Sequence, residues 1–278
     1  MGACAVQRLC AADDIRTPFV PPEGLGATLE DMYERWNRRE FVHPDPLEFL
    51  YGYPDVKERE IVAFVASSLA YGRVRQILRS VSTVLGRMGP SPRAFLLDTS
   101  FESLRTTFGD FKHRFTSGED LASMLAGLKG VIQEYGSIEG CFSSHVRERD
   151  STILQALCAL VEELSSPLEG AAGILLASPS RASACKKLNL FLRWMVRHDR
   201  VDPGGWKGIP PSKLIVPLDT HMHKVGLSLG MTRRRQADMR TALEITAGFR
   251  TLVPEDPVRY DFVLTRPGIW GDPELRFR

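Results

Sequence analysis

Apolar residues in this chain recur at helical spacing almost from end to end, and alternating segments bounded by turns are nearly absent. Ile61, Phe64, Val65 and Leu69 follow the i, i+3, i+4 rule after the charged start Lys57-Glu58-Arg59-Glu60. Gly72 interrupts. Val74, Ile77, Leu78, Val81 and Leu85 then continue on one face until Gly86 and Gly89-Pro90 stop the helix. Ser91-Pro92 is a usual N-cap and first-turn pair. Leu121, Leu125, Leu128 and Ile132 make a further amphipathic segment, and residues 153–164 another. Leu188, Phe191, Leu192 and Met195 stripe the segment 184–197. The pattern predicts an all-α protein of about ten or more helices.

A chain of 278 residues allows one large domain or two small ones. With no internal repeat or low-complexity linker, the expected organisation is an irregular extension, 1–25, and one helical domain, 26–278. The stretch 199–217 holds Pro203, Gly204, Gly205, Gly208, Pro210, Pro211 and Pro217, so it reads as a loop between two helices. Apolar residues at 43% and charged residues at 25% match a soluble globular protein and exclude a disordered or fibrous chain. No run of about 18 apolar residues exists to span a bilayer, and the first 25 residues lack the apolar core of a signal peptide. A cytoplasmic monomer is expected. The five cysteines are scattered without zinc or iron–sulfur spacing, so reduced thiols and no metal or other cofactor are expected.

Net charge is only +2, but its distribution is uneven. Residues 181–240 carry thirteen Lys or Arg against four Asp. That surplus fits a polyanion-binding face, or a solvated surface balanced by acidic neighbours in three dimensions.

Within that region, Lys186 opens one helix and Asp219 sits at the N-cap position of the next. One helix and one return loop separate them, which can bring an amine and a carboxylate to the same end of the molecule. The residues admit plainer roles. Asp219 can be a cap alone. Lys186, Arg193 and Arg197 share a helical face and can be a solvated basic stripe. Lys187, on another face, is the alternative nucleophile. Asp219, His221 and His223 fall at i, i+2, i+4, a metal-ligand spacing on a strand, but the two histidines diverge on the helix expected here.

Pro217-Leu218-Asp219-Thr220-His221, with a lysine upstream at a helix start, resembles the helix-hairpin-helix DNA glycosylase superfamily. Its members carry "V-D-T-H" or "V-D-x-x-V" around the catalytic aspartate and "K-x-A-N/D" at the catalytic lysine. Lys186-Lys187-Leu188-Asn189 matches the latter with Leu in place of Ala. The interval of 33 residues from Lys186 to Asp219 is near that of the archaeal 8-oxoguanine glycosylases. Where the superfamily hairpin reads "L-P-G-V-G", this chain has Ser180-Arg181-Ala182-Ser183-Ala184. A second resemblance covers nearly the whole chain. Residues 36–41, 67–73, 188–197, 209–214 and 254–262 are similar to an uncharacterised bacterial family, domain of unknown function 2400.

The superfamily resemblance implies a two-lobed all-α fold with a cleft between the lobes. It implies Lys186 as an amine that attacks the sugar C1′ and Asp219 as the carboxylate that stabilises the developing positive charge. The helix N-terminus and the neighbouring Lys187 disfavour a cation at Lys186. It implies damaged duplex DNA, with RNA the other polyanion, as partner, and a base flipped from the stack. Tyr71 would fill the gap, while Arg73, Arg75, Arg181, Arg193, Arg197 and His221 would contact DNA. Tyr260-Asp261-Phe262 and Arg266 would line the base pocket. The expected function is a DNA-repair glycosylase with abasic-site lyase activity on an oxidised base. A non-catalytic DNA- or RNA-binding module and a metal-dependent hydrolase using Asp219, His221 and His223 are the alternatives.

Overall fold

The computed structural model describes residues 19–165, 175–179 and 183–270, with side chains through Arg266. Arg181 and most of the hairpin-like stretch 180–184 lie outside the described residues. The chain is predominantly helical, as its periodicity predicts. The α-helices are α1 Leu25–Trp36, α2 Val56–Ser68, α3 Val74–Met88, α4 Pro92–Asp98, α5 Phe101–Phe108 and α6 Gly118–Tyr135. They continue with α7 Ile138–His145, α8 Leu154–Ser165, α9 Lys186–Val196, α10 Thr220–Ser228, α11 Met239–Leu252 and α12 Asp261–Trp270. Among the described residues, no helix is long and apolar enough to cross a membrane.

The chain's own polar residues set the helix starts. Asp55 caps α2 by accepting from the N–H groups of Lys57 and Glu58, two residues before the charged start read from the sequence. Ser91 caps α4 through the Ala94 N–H, with Pro92 in the first turn, as expected. Helix α3 runs through Gly86 and ends at Gly89, whose φ of 76° suits glycine.

Helix α2 differs from the one-sided stripe expected of it. Every residue from Glu60 to Ala70 is buried, because the helix is covered on all sides. It packs against α9, α4 and the 3-10 turn Pro46–Gly52. Helices α5 to α8 pack on one another, with α7 also against α2, and α12 lies against α1 and α10. Buried side chains from Leu25 to Leu264 join in one hydrophobic cluster.

Two features depart from the helical pattern. Lys112–His113 and Thr116–Ser117 form a two-stranded antiparallel hairpin, β1 and β2, in which His113 faces Thr116. The loop 199–217 is strapped to the core. Trp206 lies buried with its ring 5.2 Å from Phe191 and 5.9 Å from Phe142, and its backbone N–H donates to the Met195 carbonyl at 2.9 Å. Its indole Nε1 donates to Glu60 Oε2 at 3.2 Å. This strap turns the chain from the end of α9 back to the start of α10.

Candidate active site

Lys186 is the first residue of α9, and the residue before it sets its direction. Cys185, in the N-cap position, has the left-handed φ of 47°, uncommon for a side chain other than glycine, asparagine or aspartate. Its thiol is buried and donates to the Ala177 carbonyl at 3.1 Å, and burial pushes its pKa up to about 12. It is thus an inert packing group beside the amine.

Asp219 caps α10 as its sequence position predicts. Its Oδ1 accepts from the N–H groups of His221 at 2.9 Å and Met222 at 2.8 Å. The cap leaves Oδ2 available, and Lys186 Nζ lies 3.7 Å from it. The amine also reaches the Ala70 carbonyl at 3.5 Å, at the turn between α2 and α3. Both side chains are one-third exposed, so the pair is in contact with water and open to a substrate.

Two cavities meet at Lys186. The first, about 280 Å³, is bounded by Tyr71, Phe115, Leu175, Lys187 and Leu188. The second, about 200 Å³, holds Asp219, Asp45, Asp261, Thr265 and Arg266. One amine therefore faces an apolar, aromatic space on one side and, on the other, a mixed space that holds three carboxylates among apolar side chains.

Tyr71 forms a wall of the apolar cavity and is fixed by the hairpin. Its hydroxyl donates to the His113 carbonyl at 2.9 Å and lies 2.5 Å from Thr116 Oγ1. The His113 ring packs edge-on against Tyr71, with Nε2 3.1 Å from the Tyr71 carbonyl and Nδ1 2.8 Å from Ser80 Oγ. Burial lowers the His113 pKa, so the neutral ring donates from Nε2 and accepts from Ser80. Lys187 Nζ stands 5.2 Å from the centre of the Tyr71 ring. Burial pushes the Lys187 amine down to about 8.

The interface residues read from the sequence separate into two groups. Arg73 and Arg75 are exposed, on either side of Val74, which lines the second cavity. Arg193 and Arg197 are not on a solvated face, and this corrects their assignment as DNA contacts. They are 4% and 3% exposed and enclosed by carboxylates of the loop that follows α9 and of residues 256–261. Arg193 Nη2 donates to Asp202 Oδ1 at 2.8 Å and its Nη1 to Asp261 Oδ2 at 2.6 Å. Arg197 donates to Asp256 at 2.8 Å, pairs with Asp199 at 2.8 Å and also binds Asp202. Burial favours an uncharged Asp199, but Arg197 and the N–H groups of Val201 and Asp202 outweigh it and hold its carboxyl below the ordinary range. Part of the surplus positive charge of residues 181–240 is therefore neutralised inside the molecule. More is neutralised on the surface, where Arg240 pairs with Glu244 and Arg200 with Glu34.

The histidines do not converge on Asp219. His221 Nε2 lies 2.8 Å from the Leu264 carbonyl and His223 Nε2 2.8 Å from the Arg234 carbonyl, so each ring faces a different segment. No group of three metal-ligating side chains gathers among the described residues. Of the C-terminal residues, Asp261 and Arg266 line the cavity that holds Asp219. Tyr260 instead donates its hydroxyl to Glu30 at 3.0 Å, and Phe262 lies under the Arg266 guanidinium at 4.2 Å.

Sequence reasoning missed the hairpin tip. Arg114 and Phe115 lie between β1 and β2, and Phe115 is 70% exposed at the mouth of the apolar cavity. Arg114 has a φ of 54°. Its side chain lies over Gly72, where a Cβ would come within 2.7 Å of Arg114 Cδ, and the Gly72 φ of 99° also favours glycine. The signal available in the sequence was the cluster Lys112-His113-Arg114-Phe115, cations around an aromatic residue.

No curated protein and no solved structure matches the chain. Helices α2 to α12 and the strapped loop leading to Asp219 fall within residues 45–270, which match the family described as protein of unknown function (DUF2400), and the chain belongs to that family.

Proposed function

We propose that the protein is a DNA glycosylase with abasic-site lyase activity, acting on a damaged base with the two-lobed architecture of helix-hairpin-helix glycosylases. The observation that carries this reading is the 3.7 Å approach of Lys186 Nζ to Asp219 Oδ2, beside a cavity on each side of the amine. Asp219 Oδ2 is the acceptor placed to take a proton from the Lys186 ammonium. The neutral amine attacks C1′. A C1′–N bond to lysine forms as the glycosidic C1′–N bond breaks, and its electron pair leaves with the base, which takes up the proton that Asp219 accepted from the lysine. The carboxylate so regenerated faces the positive charge that develops on the sugar. Ring opening gives the lysine Schiff base, from which β-elimination cuts the strand.

Borohydride trapping on an abasic-site oligonucleotide tests this. The expected result is a covalent adduct with the wild type and with Lys187→Gln, and none with Lys186→Gln. Adduct with Lys186→Gln but not with Lys187→Gln would move the nucleophile into the apolar cavity. Tight binding without any adduct would leave a non-catalytic DNA- or RNA-binding module as the better reading.

A further inference from the structure

The exposed Phe115 has no role in the chemistry above. A large aromatic ring left 70% in water at the end of a two-residue turn is costly unless a ligand covers it. Single exposed apolar residues are common, so exposure alone decides little. Three further observations give this one a direction. First, the tip is rigidly mounted: His113 is fully buried and bonded to Ser80 and Tyr71, and Thr116 is fully buried against the Tyr71 hydroxyl. Second, Phe115 and Tyr71 bound the same cavity, which opens onto Lys186 and Lys187. Third, exposed cations surround the tip. Arg114 precedes Phe115, Arg73 follows the Gly72 on which Arg114 lies, Arg75 stands two residues on in the first turn of α3, and Arg79 and Lys112 border a further cavity. No carboxylate pairs with these five side chains among the described residues.

We propose that the Arg114–Phe115 tip is a base-stacking platform for an unpaired stretch of DNA, and that the favoured substrate is therefore single-stranded or locally melted rather than fully paired. This rests on the DNA reading of the Lys186–Asp219 site. Cations set around an aromatic ring suit a polyanion whose units carry flat apolar faces. In a paired duplex those faces are covered by neighbouring base pairs, and exposing one costs unstacking energy. In a single strand they are available at no such cost. A ring fixed on a short turn, with a second aromatic wall behind it, can hold one base at the cavity mouth and guide the next nucleotide toward Lys186.

The test is fluorescence anisotropy with three labelled DNAs of one sequence: a single strand, a duplex with a short mismatched bubble, and a matched duplex. Wild type is expected to bind the first two about tenfold more tightly than the third. Phe115→Ala should lose about that factor on the single strand and the bubble and little on the matched duplex. Phe115→Trp should keep the preference. Phe115 packs into no core, so the alanine variant is expected to fold, and circular dichroism checks this. Equal or tighter binding of the matched duplex overturns the proposal. So does a Phe115→Ala loss that is uniform over all three DNAs, which would make the ring a duplex wedge, or no loss at all. Absence of binding to any DNA at low salt overturns both this proposal and the glycosylase reading. A preference for unpaired DNA that depends on Phe115, without borohydride adduct, supports the platform and overturns only the chemistry.

Discussion

Arg193 Nη2 donates to Asp202 Oδ1 at 2.8 Å with neither side chain reaching water. Asp202 also accepts from Arg197, so one carboxylate serves two buried guanidiniums. Burial opposes charge on both arginines, and the surrounding carboxylates more than restore it, raising both above the ordinary arginine value. Asp202→Asn keeps the shape and removes the charge. The expected cost is about 3–5 kcal/mol of unfolding free energy, since it leaves two buried cations short of a partner. Urea denaturation measures it, and a loss below about 1 kcal/mol, the scale of a surface pair, would contradict the buried-network description.

Glu60 should give the protein a recognisable pH dependence. Burial pushes its carboxyl up to about 7, against hydrogen bonds from the Ile138 and Glu139 N–H groups and the Trp206 indole. The folded value lies above the ordinary 4.5, so the native state holds the extra proton between about 4.5 and 7. Relative to Glu60→Gln, wild type is expected to lose stability as pH rises through that window and to show no further change outside it. The difference in unfolding free energy between the two proteins across pH 4 to 8, roughly the range bracketing that window, reads this directly. A difference that does not vary with pH would mean that Glu60 does not titrate there.

Asp219→Asn separates capping from chemistry. Asparagine is as good an N-cap as aspartate, so the melting temperature should move little. Base release should slow by about 10²–10³-fold, the usual scale for losing one electrostatic contact to a developing charge. Single-turnover assays on lesion-bearing DNA supply the rate. Unchanged release would reduce Asp219 to a cap.

Arg73 and Arg75 are expected to contact phosphates. Alanine at either position should lower the slope of log K against log salt for single-stranded DNA by about 0.7 per lost contact. Arg193 and Arg197, whose positions along α9 are no less basic in sequence, are excluded from that interface by burial. Salt titrations of Arg73→Ala and Arg75→Ala decide whether the exposed pair carries the contact.

Helical periodicity and polar caps were sufficient to read α3, α4, α9 and α10, because each signal is local: a stripe, a Ser-Pro start, an aspartate before a helix. What stayed hidden is which side chains the fold brings over each face. The i, i+4 spacing of Arg193 and Arg197 places them on one face but says nothing of what covers it, and the covering carboxylates come from residues 199–202 and 256–261. Helix α2 carries Glu60 at the end of its charged start, and only the approach of α7 and Trp206 shows that this carboxylate is enclosed. The hairpin was missed because strands of two residues each are too short to alternate. The approach of Lys186 to Asp219 could be read because both sit at helix starts separated by one helix and one return loop.

The strap around Trp206 gives that return loop an unusual resistance to cutting. A segment so rich in proline and glycine would ordinarily be the first place a protease enters. Here Lys207-Gly208 is exposed at its middle, between the buried Trp206 and Ile209, with Pro210 exposed beyond, and the Lys207 N–H is held by Glu139 at 2.7 Å and the Gly204 carbonyl by Arg59 at 2.9 Å. A protease needs several consecutive residues drawn out in extended form. Exposing them would pull the indole from between Phe142 and Phe191, so cleavage at Lys207 should wait for the opening of the core itself. The scissile bond most accessible by inspection thus becomes a reporter of global unfolding.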